Sequence, residues 1–234
     1  MTSCSTTDDA SATSGITVFA AASLKASFED LGAQFEAANP GSKVTFSFLG
    51  SQSLVDQLAN GARADVLATA DQKSMTSATD KSLVTTPKLF ASNTLVLITP
   101  ADNPGRITGL DGSLTGKKLV ICDAAVPCGN ATNTLAQQLG VTLAPVSKEQ
   151  KVSDVVTKVT SGEADAGIVY ATDAAAVSEK VKAIQIPGAE QVVNKYPIAL
   201  TAAAGQAALG RKFIDFVLSD AGPATLQKYG FAKP

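Results

Sequence analysis

Residues 16–31, ITVFAAASLKASFEDL, join a strand to a helix through the smallest residues in the stretch. Ile16-Thr17-Val18-Phe19 is a short apolar β run. Leu24, Phe28, Leu31 and Phe35 then recur at spacings of three and four, which predicts an amphipathic helix over Ser23–Asn39. Between the two lie Ala20, Ala21, Ala22 and Ser23. A helix start leaves several backbone N–H groups without internal partners and carries a partial positive charge. Small residues in front of it let a ligand approach the backbone closely. A serine there either caps its own helix or turns its hydroxyl outward beside the N–H groups, and in the second case the joint binds an anion.

The same joint recurs at FLGSQSL (Ser51), VPCGNAT (Cys128, Gly129) and KVSDVV (Val152, Ser153). Taken singly, a serine at such a place reads as a helix cap. Four joints together suit an oxyanion site, because ligands of open α/β sheets sit at the carboxyl ends of the strands. The rest of the chain keeps the alternation. Strands are expected at Val44–Phe48, Asp65–Ala68, 92–100 (SNTLVLITP), 117–123 (KKLVICD), the start of AGIVYATDAAAV and VKAIQIP, with an apolar stretch at Tyr196–Ala203. Helices are expected at Ser51–Asn60, Asn130–Leu139, Ser153–Thr160 and Ala207–Leu218, several of them closed by a glycine. The pattern implies an α/β fold with mainly parallel sheets. No internal repeat is visible.

The totals narrow the function. At 234 residues with 45% hydrophobic content, the chain suits one large domain or two lobes of about 100–150 residues. A net charge of −2 gives no electrostatic case for nucleic acid or an anionic membrane surface. Histidine is absent, which removes every Ser-His-Asp, Cys-His and His-metal scheme. Asp65, Asp71, Asp165 and Asp173 fall in separate turns and read as helix caps rather than as a metal site. Lys25 and Lys151 lie near the joints, where they could steer anions. Tyr170, ending the apolar run GIVY, reads on its own as a core tyrosine.

Of the three cysteines, Cys122 and Cys128 bracket the short loop CDAAVPC. A structural disulfide is the expectation, with two free buried thiols as the alternative; a metal site lacks a second ligand cluster, and the spacing is not Cys-x-x-Cys. A disulfide implies an oxidising compartment outside the cytoplasm. Cys4 lies in MTSCSTTDDASATSG, a polar stretch that should be a disordered tether over residues 1–14. Small residues directly before that cysteine resemble the end of a bacterial lipoprotein signal, so lipidation of Cys4 is expected.

ITVFAAASL, ADVLATADQKSM, SNTLVLITP, GEADAGIVYATDA and LQKYGF occur in an order that resembles the substrate-binding proteins of bacterial molybdate ABC transporters, from Gly15 to Phe231. The resemblance implies a two-lobed periplasmic-binding-protein fold of type 2, joined by two crossover strands. Lobe 1 would hold residues 15–92 plus 196–234 and lobe 2 residues 93–195. It implies an extracytoplasmic monomer that is not an enzyme and needs no cofactor, with molybdate or tungstate as ligand and a membrane permease as partner. Carried over position by position, the molybdate-binding groups are the hydroxyls of Ser23, Ser51 and Tyr170 and the backbone N–H groups of Cys128 and Val152. Ser53 is the nearest rival of Ser51. Many relatives have alanine where this chain has Cys128, a change that a main-chain donor tolerates.

A ring of N–H and O–H dipoles replaces the hydration of a buried dianion without a countercharge. Such a site holds donors only, so hydrogen phosphate, which needs an acceptor, is refused. Molybdate, tungstate and sulfate all satisfy the rule, which leaves sulfate or another tetrahedral oxyanion as the alternative ligand. The enzyme alternative, a hydrolase using Ser23 or Ser51, requires a desolvated lysine beside the serine.

Overall fold

The computed structural model describes residues 14–234; Cys4 and the tether expected over 1–14 lie outside them, except Ser14, which already opens the first strand. In chain order the first half runs β1 (Ser14–Ala21), α1 (Lys25–Ala38), β2 (Ser42–Leu49), α2 (Ser51–Ala59), β3 (Val66–Ala68), α3 (Gln72–Asp80) and β4 (Val84–Asn93). It continues with β5 (Leu95–Pro100), β6 (Leu119–Cys122), α4 (Pro127–Leu139), β7 (Ser147–Glu149), α5 (Val152–Thr160), β8 (Ala166–Tyr170), α6 (Ala171–Ala176) and β9 (Val181–Gln185). The chain closes with β10 (Asn194–Thr201), α7 (Ala207–Leu218) and α8 (Ala221–Lys228).

Two five-stranded sheets result, in the orders β2-β1-β3-β10-β4 and β7-β6-β8-β5-β9, each flanked by helices. The chain leaves the first sheet at Asn93, enters the second at Leu95 and comes back at Asn194. The expected α/β two-lobed architecture is present, but the sheets are mixed where mainly parallel sheets were expected. β1 pairs in parallel with β2 and β3, as β6 does with β7 and β8. β10 runs antiparallel to β3 and β4, and β5 antiparallel to β8 and β9. The reason is the passage between lobes. A parallel neighbour needs a crossover helix, whereas β5 continues directly from β4, and β10 enters its sheet from the other lobe.

Side-chain burial explains the elements. α1 buries Phe28, Leu31 and Phe35, and α7 buries Phe213 and Val217. Phe35 and Phe213 meet edge to face with ring centres 5.4 Å apart, and Phe28 lies 5.6 Å from Phe90 of β4. At the far end of the chain, Ser92 and Ala232 exchange backbone hydrogen bonds of 2.8 and 3.0 Å, and the Phe231 ring packs 5.4 Å from that of Tyr196. No helix among the described residues is long and apolar enough to cross a membrane.

Candidate functional site

All five positions singled out in the sequence line one narrow cavity between the two sheets: Ser23, Ser51, Cys128, Val152 and Tyr170, with Ala22, Gly50 and Pro127 beside them. Four helical starts converge there. Ser23 sits in a single 3-10 turn, Ala22–Leu24, that precedes α1, so the helix expected from Ser23 itself begins two residues later. Ser51 is the first residue of α2, Cys128 the second of α4 and Val152 the first of α5. The residues before these starts are Ala21, Gly50, Val126 and Lys151, and none gives a side-chain cap. By contrast, α3 is capped by Asp71, which accepts the Ser74 N–H at 2.9 Å. The serines are therefore not caps, and the first-turn N–H groups of the converging starts have no partner within their own helices.

Each hydroxyl is held by a second partner. Ser51 is buried, and its Oγ accepts the Ala70 N–H at 3.0 Å; Ser53 is only half-buried and does not line the cavity. Ser23 Oγ lies 3.1 Å from the Tyr196 hydroxyl. Tyr170 is buried, and its hydroxyl oxygen accepts from Asn194 Nδ2 at 3.1 Å. Burial, followed by the neighbouring Tyr196 hydroxyl and the charges of Asp71 and Asp173, raises the Tyr170 phenol well above its ordinary value, so it keeps its proton. Asp173 accepts the Tyr170 N–H at 3.2 Å, yet loss of water around its carboxyl outweighs that bond and pushes it up to about 7.

Cys122 and Cys128 are joined by a disulfide, with their Cα atoms 5.7 Å apart, across the loop between β6 and α4. Next to it, a Cβ on Gly129 would stand 1.9 Å from the Asp123 carbonyl oxygen, so the loop folds over this helix start only with glycine there. The lobes also meet at the cavity rim. A Cβ on Gly50 would lie 2.3 Å from the Gln150 carbonyl oxygen of the opposite lobe.

Both lysines near the joints have acidic partners: Lys25 faces Glu29 at 4.0 Å, and Lys151, which lines the cavity, faces Asp154 at 3.5 Å. Lys151 is thus partly exposed and ion-paired, unlike the desolvated base a serine hydrolase would need. Of the aspartates expected to cap helices, Asp71 does so, and Asp173, the third residue of α6, accepts the Tyr170 N–H at the start of that helix, as in a capping box. Asp65 accepts N–H groups of Thr17 and Gln206 at 2.8 and 2.7 Å, and Asp165 accepts that of Lys118 at 2.7 Å. These two tie chain segments together. No group of three metal-ligating side chains occurs among the described residues. Sequence reasoning missed Asn93, Asn194 and Tyr196; the only signal was a polar residue at the end of an apolar strand.

Comparison with known proteins identifies the family. Residues 16–232 match the family model of bacterial extracellular solute-binding proteins. The molybdate-binding protein ModA of Mycobacterium tuberculosis is 45% identical over 221 residues, covering 94% of this chain and 85% of its own. That of Escherichia coli is 32% identical over 229 residues, 92% and 88% of the two chains. The solved periplasmic molybdate-binding protein of Azotobacter vinelandii superposes with a TM-score of 0.82 over 94% of this chain and 99% of its own, at 20% identity. These are transport proteins that bind a substrate rather than enzymes. The chain belongs to the bacterial extracellular solute-binding proteins and, within them, to the ModA family.

Proposed function

We propose that this protein captures molybdate, and tungstate with it, between its two lobes outside the cytoplasm and hands it to the membrane permease of an ABC transporter. The observation that carries the reading is the meeting of four uncapped helical starts and the hydroxyls of Ser23, Ser51 and Tyr170 at one cavity. The names of the relatives support the choice of ion. In this reading the N–H groups of Cys128 and Val152 complete the ring of donors. Lobe 1 comprises residues 15–92 and 196–234, lobe 2 residues 93–195, and a lipid on Cys4 holds the protein at the cell envelope.

The chemistry follows from the donor set. An unprotonated tetrahedral dianion accepts at every oxygen, and each hydrogen bond to a charged group is worth about 1.5–3 kcal/mol. Hydrogen phosphate brings a proton that faces another donor, which is unfavourable. The test is a titration panel of molybdate, tungstate, sulfate and hydrogen phosphate, read by calorimetry and thermal shift. Molybdate and tungstate should bind one to one and hydrogen phosphate should be silent. At 100 times its Kd, ligand adds about 2.7 kcal/mol of stability, roughly 5–10 °C for a chain of this size. A silent molybdate titration overturns the reading, and sulfate alone responding replaces it with sulfate capture.

A further inference from the structure

A hydroxyl can meet an anion with its hydrogen or with a lone pair, and its other partner decides which. For Tyr170 that partner is Asn194 Nδ2, at 3.1 Å. The same nitrogen donates to the Ala70 carbonyl at 3.0 Å, and a carbonyl can only accept, so the orientation of the amide is fixed. Asn194 is buried, as is Tyr170. With a donor already on its oxygen, the phenol's own hydrogen is left for the cavity or the neighbouring Tyr196 hydroxyl, and a bound anion is the stronger acceptor of the two. Ser51 is treated the same way by the main chain, through the Ala70 N–H. Asn194 also stands opposite Asn93 in the β10–β4 pairing, where the chain crosses between the lobes. Asn93 has its own commitments, donating to Thr172 Oγ1 at 2.7 Å and accepting the Thr94 N–H at 3.0 Å.

We propose that Asn194 is a positioning residue for ligand binding: by donating to the Tyr170 phenolic oxygen, it turns the phenolic hydrogen toward the bound oxyanion. This rests on the oxyanion reading above. It makes the hydroxyl an obligatory donor at a place where a freely rotating one could present either end. It also couples the ligand directly to the strand that crosses between the lobes.

A double-mutant cycle tests it, with Asn194→Leu and Tyr170→Phe alone and combined, titrated calorimetrically with molybdate and separately with sulfate, after thermal unfolding confirms that each variant is folded. Asn194→Leu should weaken binding at least tenfold when Tyr170 is present and less than twofold in the Tyr170→Phe background. Equal losses in both backgrounds would mean that Asn194 supports the cavity only as structure, and would overturn the proposal. Should Asn194→Leu not fold, Asn194→Asp enters the same cycle, where its added charge acts in both backgrounds and cancels. A wild-type protein silent with molybdate refutes the ligand assignment, and the sulfate cycle then still reads the coupling.

Discussion

Asp173 illustrates how one residue links the site to solution conditions. Its carboxyl, turned inward to the Tyr170 N–H, is pushed up to about 7 by loss of water, against an ordinary value of 3.8. The folded state therefore holds a proton that the unfolded state has already released between about pH 4 and 7. Stability falls with rising pH across that window, and the penalty is fully present above it. Asp173→Asn keeps an acceptor for the Tyr170 N–H and removes the charge. Chemical denaturation should find the variant more stable than wild type at pH 8 and no more stable near pH 4. A gain of equal size at both pH values would assign the effect to something other than ionisation. Tyr170 itself shows the limit of reading single residues. Its place at the end of GIVY suits a core tyrosine, and it is indeed buried, but it also lines the cavity.

At the scale of elements, helix starts were legible and several whole elements were not. The four strand-to-helix joints could be read because small residues and hydroxyls stand where a strand pattern gives way to a helical one. α3 was missed because QKSMTSATD buries little beyond Met75 and Ala78, and its signal is the Asp71 cap instead. β4 was missed because Pro87 interrupts it. That residue is tolerated beside Thr86, at φ 47°, where the pairing with β10 shifts register on a sheet edge. The antiparallel strands were unreadable for another reason, since strand direction depends on which sheet the chain enters next. The loop between β6 and α4 was legible through its cysteines. A ring this short is worth about 2 kcal/mol in the chain-entropy account. Replacing both Cys122 and Cys128 by serine should lower unfolding stability by about that amount, measured with denaturant. Molybdate binding should persist in calorimetry, because in the proposed ring of donors position 128 offers its N–H rather than its side chain.

For the whole molecule, the contact that matters is the one between lobes at the cavity rim. Gly50 heads α2 in one lobe and abuts the Gln150 carbonyl of the other, so closely that a methyl group would lie 2.3 Å from the oxygen. Gly50 has an extended backbone, with φ −61°, and alanine is sterically comfortable there on its own. The obstacle to Gly50→Ala is therefore the opposite lobe. The variant should fold with near-normal stability without ligand, yet bind molybdate at least tenfold more weakly. Small-angle scattering should show less contraction on adding ligand. Unchanged affinity and contraction would mean that the rim yields easily.

The strand order of the first sheet also constrains how the chain is built. β10 lies between β3 and β4, so that sheet lacks an interior strand until residues 194–201 have emerged from the ribosome. The second sheet draws only on residues 95–185 and is continuous in the chain. During synthesis the later lobe has all its strands before the earlier one, whose β3 and β4 stay unpaired along the edges that β10 will fill.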